Sequence, residues 1–65
     1  MKNYWLNRFR VGKKVRYKGF DPHLNGKIGI IVSISKEWID VEFEFPGFYS
    51  TTRIITVEEG NLEII

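Results

Sequence analysis

The sequence predicts an all-β fold, a small five-stranded barrel, and three observations lead there. The 65 residues include no alanine, and nine isoleucines outnumber three leucines beside two Trp, three Tyr and five Phe. Absence of the best helix former, with β-branched and aromatic residues abundant, favours strands. Apolar and polar residues alternate with a period of two over several short runs, the signature of half-buried strands. Turn signals at Asn25-Gly26, Pro46-Gly47 and Gly60-Asn61 separate those runs.

Residues 1–8 fit neither template: Trp5, Leu6 and Phe9 share a helical face, while Tyr4 and Leu6 alternate like a strand. They read as a short N-terminal extension of one domain spanning residues 1–65. Phe9 and Val11 lead into a first strand, where Val15 and Tyr17 point inward and Lys14, Arg16 and Lys18 form a wet basic face. Gly19 ends that strand, and Asp21-Pro22 marks a loop closed by the tight turn at Asn25-Gly26. The second strand, residues 27–35, is apolar on both parities. Ile28, Ile30, Val32 and Ile34 alternate with Gly29, Ile31 and Ser33, which predicts a central strand or one bent by a face-switching bulge.

A third strand puts Ile39, Val41, Phe43 and Phe45 inside and Trp38, Asp40, Glu42 and Glu44 outside. A fourth covers residues 49–57, a polar turn or single 3₁₀ turn follows at 58–61, and a last strand runs over 62–65. Ile31, Val41, Phe43 and Leu62 are the core this assignment leaves. Barrel closure would remove the edge that an Ile-rich strand otherwise exposes.

Composition excludes much. A domain this short buries only about 60% of its unfolded surface, so its core is small. Without cysteine there are no disulfides and no thiolate metal site, and one histidine does not make a zinc cage. No apolar run approaches the roughly 18 residues of a membrane span, and Tyr4-Trp5-Leu6 is too short for a signal-peptide core. The expectation is a soluble, cytoplasmic protein with no membrane partner. The abundance of Ile, Lys and Asn is what an AT-rich genome encodes, as in a low-GC bacterium or a phage. Charge is polarised: seven of the ten basic residues lie in the first eighteen positions, which hold no acid.

The segments Gly12-Lys13-Lys14-Val15-Arg16-Tyr17 and Gly26-Lys27-Ile28-Gly29-Ile30-Ile31 resemble the opening strand and following hairpin of KOW-type domains, which are small SH3-like barrels. The ending Val57-Glu58-Glu59-Gly60-Asn61-Leu62-Glu63-Ile64 is similar to their final turn and strand. The likeness covers roughly residues 9–65. It implies an SH3-like barrel and a binding module rather than any one partner, because such barrels serve many functions.

Four constellations carry the functional expectation. Arg8, Arg10, Lys13, Lys14, Arg16 and Lys18 form a basic strip interleaved with Phe9 and Tyr17. It reads either as a contact to DNA or RNA phosphates or as a solvated face paired with neighbouring acids. Phe9 and Tyr17 fall on the inward parity with Val11 and Val15. The acidic stripe Asp40, Glu42, Glu44 spaces its carboxylates about 7 Å apart, too far for a compact metal shell. It reads as a wet sheet face, with the option of opposing the basic strip.

Trp38, Phe48 and Tyr49 form an aromatic group that suits a host or complex protein partner, or that the N-terminal segment covers. His23 has no nucleophile, phosphate loop or carboxylate pair around it in sequence. No catalytic residue, metal site or cofactor is expected. The leading expectation is a nucleic-acid-associated binding module using the basic strand, and the alternative is a protein adaptor or inhibitor using the aromatic group.

Overall fold

A computed structural model describes residues 9–47 and 51–65. Five strands, β1 (Lys14–Tyr17), β2 (Ile28–Ser35), β3 (Trp38–Phe45), β4 (Thr51–Glu58) and β5 (Leu62–Ile64), form one sheet in the order β4-β3-β2-β1-β5. Every neighbouring pair is antiparallel. A single 3₁₀ turn, Glu59–Asn61, joins β4 to β5. Among the described residues no helix is long and apolar enough to cross a membrane. The expected N-terminal extension, with Arg8, lies outside the described residues.

Connectivity forces this sheet to curl. β4 and β5 are its two edges, so in a flat sheet they would lie about 19 Å apart, four strand spacings. β4 also ends beside Trp38, at the β2–β3 turn, whereas β5 begins opposite Tyr17, at the other end of the sheet. The four residue-to-residue steps from Glu58 to Leu62 can span at most about 14 Å. The connection closes only if the sheet rolls until its ends meet. Rolling also explains how one sheet, with no α-helix among the described residues, buries side chains completely. Val15, Ile39, Val41 and Phe43 reach 0% exposure, joined in one core by Tyr17, Leu24, Ile31, Val57 and Leu62. The expected set Ile31, Val41, Phe43 and Leu62 is buried together. Tyr17 meets Phe43 edge to face, with centroids 6.5 Å apart. Hydrogen bonding does not extend from β4 to β5, so the barrel stays open along that seam.

Two sequence expectations change, and the faces of β2 are settled. Val11 is 65% exposed rather than inward, because the first strand begins only at Lys14. The Lys13 N–H donates to the Arg10 carbonyl and Gly12 sits at φ 93°, so the chain turns there and leaves Val11 at the tip. Phe9, before the turn, does pack against the core. In β2 the inward positions are Gly29 and Ile31, and the ladder to β3 then shifts between Ile31 and Ser33. That bulge at Val32 switches the faces, leaving Ile28 and Ile30 on the outer surface and Ile34 opposite Ile39. Finally, the acidic stripe does not oppose the basic strip. β2 lies between them, and the basic strand's other neighbour is β5.

The strongest polar feature of the outer face is a three-strand clasp. Ser33, Asp40 and Thr56 fall in one row across β2, β3 and β4. The Ser33 hydroxyl donates to Asp40 Oδ2 at 2.6 Å, and the Thr56 hydroxyl donates to Asp40 Oδ1. Both bonds favour the ionised carboxylate, so the Asp40 pKa lies below its ordinary value, the Ser33 bond contributing most. A carboxyl whose folded pKa is depressed contributes stability at pH values above its unfolded pKa, about 3.9. That contribution is lost as pH falls through the folded value. Carboxyl titration by ¹³C NMR is expected to find Asp40 below its ordinary value in the parent. It should rise towards that value in a Ser33→Ala/Thr56→Val variant, and an unchanged Asp40 titration would refute the clasp.

Candidate nucleic-acid interface

The basic strip is divided by the fold. Lys14 and Arg16 project from the outer face of β1, Arg10 and Lys13 lie in the turn before it, and Lys18 follows its end. Arg16 Nη1 lies 3.7 Å from Glu63 Oε1 on β5, an exposed pair that partly neutralises the strip. Beyond Lys14 and Arg16 the sheet continues with Ile30 and Ile28, so no cationic groove forms along β1. Of the aromatic group, Trp38 alone is among the described residues. Trp38 is half-exposed on the outer face beside Ser35 and Glu58, while Phe48 and Tyr49 lie outside the described residues.

A different cluster assembles at the open mouth of the barrel, around the loop from Lys18 to Lys27. Backbone and side-chain hydrogen bonds hold this loop. The Leu24 and Asn25 N–H groups donate to the Asp21 carbonyl, Lys27 N–H donates to Leu24, and Gly26 N–H donates to Tyr17. Asn25 Nδ2 donates to the Gly19 carbonyl, and the His23 N–H donates to Asp21 Oδ1, an Asx turn. Leu24 inserts into the core and anchors the loop from below. The Asp21 N–H, next in chain after Phe20, donates to the Tyr17 hydroxyl at 3.3 Å. The consequence is specific: Phe20 is 97% exposed on a loop otherwise secured by hydrogen bonds. Exposing a whole phenyl ring forfeits roughly 1.5–3 kcal/mol of burial, so the ring is displayed at a cost to stability.

Beside this loop runs a groove of about 300 Å³ lined by Leu24, Phe45, Ile55, Thr51, Arg53, Asp21 and His23. Its floor comes from the inward parity of β3 and β4, where the seam to β5 is open: Arg53 stands opposite Phe43, and Thr51 opposite Phe45. Two cations flank it. Arg53 is exposed and makes no ion pair among the described residues. Lys27 Nζ lies 4.8 Å from the centroid of the Phe45 ring and donates to the Glu44 carbonyl at 3.3 Å. Lys18, also exposed, stands at the base of the loop. Asp21 is the groove's acid, and its carboxylate is engaged by the His23 N–H with His23 Nδ1 at 3.6 Å.

Sequence reading missed this cluster because its members are scattered over positions 18–27, 45 and 53. Arg53 in particular looks like an inward position of an ordinary strand. Its one legible signal was an aromatic inside a Gly- and Asp-Pro-marked loop, where burial has no partner strand to supply it. Among the described residues no three His, Asp or Glu side chains gather as a metal site. No protein-family model, curated protein or solved structure matches the chain.

Proposed function

We propose that the chain is a non-enzymatic binding module for single-stranded nucleic acid, with its site at the barrel mouth. The observation that carries this reading is Phe20, presented on a hydrogen-bonded loop that lines a groove with Arg53 and Phe45 and carries Lys18 and Lys27 at its two ends. Single strands are bound by this combination: an aromatic face on which a base stacks, and cations that follow the phosphates. Duplexes bury their base faces and offer Phe20 nothing to stack on. The likeness to KOW-type barrels belongs to the same proposal and agrees with a binding role. Arg10, Lys13 and Lys14 extend the positive field and assist encounter rather than define the site.

Fluorescence anisotropy of labelled oligo-dT and oligo-U across a salt series tests this. Three phosphate contacts give a log–log salt slope near −2 for a single strand. Phe20→Ala is expected to weaken binding by roughly ten- to a hundredfold, since stacking on an aromatic contributes about 1–3 kcal/mol per base. Lys18→Glu/Lys27→Glu/Arg53→Glu should abolish it with the barrel still folded. Absence of parental binding at near-physiological salt would reject the proposal.

A further inference from the structure

The outer face around β2 is zoned by charge in a way neither the core nor the groove requires. Following the ladders, one row across the sheet reads Ile65, Lys14, Ile30, Glu42, Ile54. Lys14 pairs with Ile30, Ile30 with Glu42 and Glu42 with Ile54, while the Ile65 N–H donates to the Lys14 carbonyl. The adjacent row runs Glu63, Arg16, Ile28, Glu44, Thr52, with Arg16 paired to both Glu63 and Ile28 and Glu44 paired to Thr52. Ile28 and Glu44 meet in a shallow groove of about 190 Å³ that Lys14, Ile30 and Glu42 also line. Lys14 and Arg16 thus stand on the β1 side of the β2 isoleucines and Glu42 and Glu44 on the β3 side, with Glu63 beyond Arg16 on β5. Ile28, Ile30, Ile54 and Ile65 are all substantially exposed.

We infer that this face is an interface between two copies of the chain, related by a two-fold axis lying along β2. Such a rotation exchanges the β1 and β3 sides and leaves position along the strand unchanged. It sets Ile30 on Ile30 and Ile28 on Ile28 at the centre. It sets Lys14 over Glu42 and Arg16 over Glu44, each twice. Within one chain Lys14 and Glu42 are two strand spacings apart, about 10 Å, so they do not satisfy one another. Sheets packing face to face stand about 10 Å apart, a gap that a lysine and a glutamate bridge from opposite sides. Two-fold symmetry requires a self-complementary patch, and the row through Lys14, Ile30 and Glu42 meets that requirement in charge and, at its centre, in hydropathy, while Arg16 in the other row is shared with Glu63 of its own chain. The contact is small and is expected to give a weak, concentration-dependent dimer. It lies on the outer face of the sheet, whereas the Leu24–Arg53–Ile55 groove lies on the inner one, so dimerisation leaves the proposed nucleic-acid site open.

Charge reversal distinguishes this pairing from non-specific stickiness. In sedimentation velocity from micromolar to millimolar protein, free of nucleic acid, the parent is expected to pass from monomer to dimer. Lys14→Glu alone sets glutamate over Glu42 twice, and Glu42→Lys alone sets lysine over Lys14 twice. Each should weaken dimerisation about tenfold or more. Mixing the two variants should restore a heterodimer, because every crossed contact is then of opposite sign. As an independent reading, Ile30→Cys lies at the axis and should cross-link to a second copy on mild oxidation, while Ile54→Cys should not. A parent that stays monomeric to millimolar concentration would overturn the inference. So would single reversals that dimerise like the parent, or a mixture that does not associate.

Discussion

Gly29→Val is expected to leave the chain unfolded at room temperature, and even Gly29→Ala should cost about 3 kcal/mol. A Cβ at this position would lie 2.6 Å from Val41 Cγ1, 2.7 Å from the Glu42 carbonyl oxygen and 2.9 Å from Phe43 Cδ1. Val41 and Phe43 are completely buried, and the Glu42 carbonyl belongs to a strand paired on both sides, by β2 and β4. None of the three can retreat without breaking a ladder or the core. Overpacking typically costs 1–3 kcal/mol, whereas a core of this size supplies only about 3–5 kcal/mol in all. Urea unfolding followed by tryptophan fluorescence measures the loss, and a Gly29→Ala midpoint equal to the parent's would contradict the close approach.

Phe43→Ala is the second large effect. Phe43 is the largest of the fully buried side chains, meets Tyr17 edge to face and sits opposite Gly29 on β2. Removing its ring leaves a cavity whose walls are fixed by three neighbouring strands. Losses of about 3–5 kcal/mol are typical of such truncations, comparable to the whole stability of a domain this small. Circular dichroism should show an unfolded chain, or one melting far below the parent. A parental melting curve would remove Phe43 from the centre of the core.

Both effects concern positions that the sequence marks openly. A glycine inside an Ile-rich strand predicts close backbone approach, and the alternation of Ile39, Val41 and Phe43 fixes which face is buried. Apolar residues on both parities of β2 predict a central strand or a face-switching bulge, and β2 is both. The pattern did not say where the faces switch. Hydropathy alone could not tell whether the row of Ile28 and Ile30 lay inside or outside. The bulge at Val32 decides that, through a register that only β3 reveals. Val11 misled for a related reason: its parity was sound, but the chain turns at Gly12 before any strand begins.

The site was less legible than the fold. The basic strip could be seen because its charges lie close together in the sequence, yet pairing with β5 gives Arg16 an acid, and β2 carries isoleucines where a groove would need cations. The groove unites the loop's Asp21, His23 and Leu24 with Phe45 on β3 and Arg53 on β4, residues that are distant in the sequence and meet only through the tertiary fold. Phe20 gains its meaning from that juxtaposition and from the hydrogen bonds that hold its loop.

The most direct test of the central claim is ¹⁵N-resolved NMR during titration of the folded chain with a short oligo-dT. Binding at the barrel mouth predicts that amide shifts concentrate at Phe20, Asp21, His23, Lys27 and Arg53, with Ile30 and Glu42 on the outer face unmoved. Shifts confined to Lys14, Arg16 and their β2 neighbours, or no shifts at all, would contradict it.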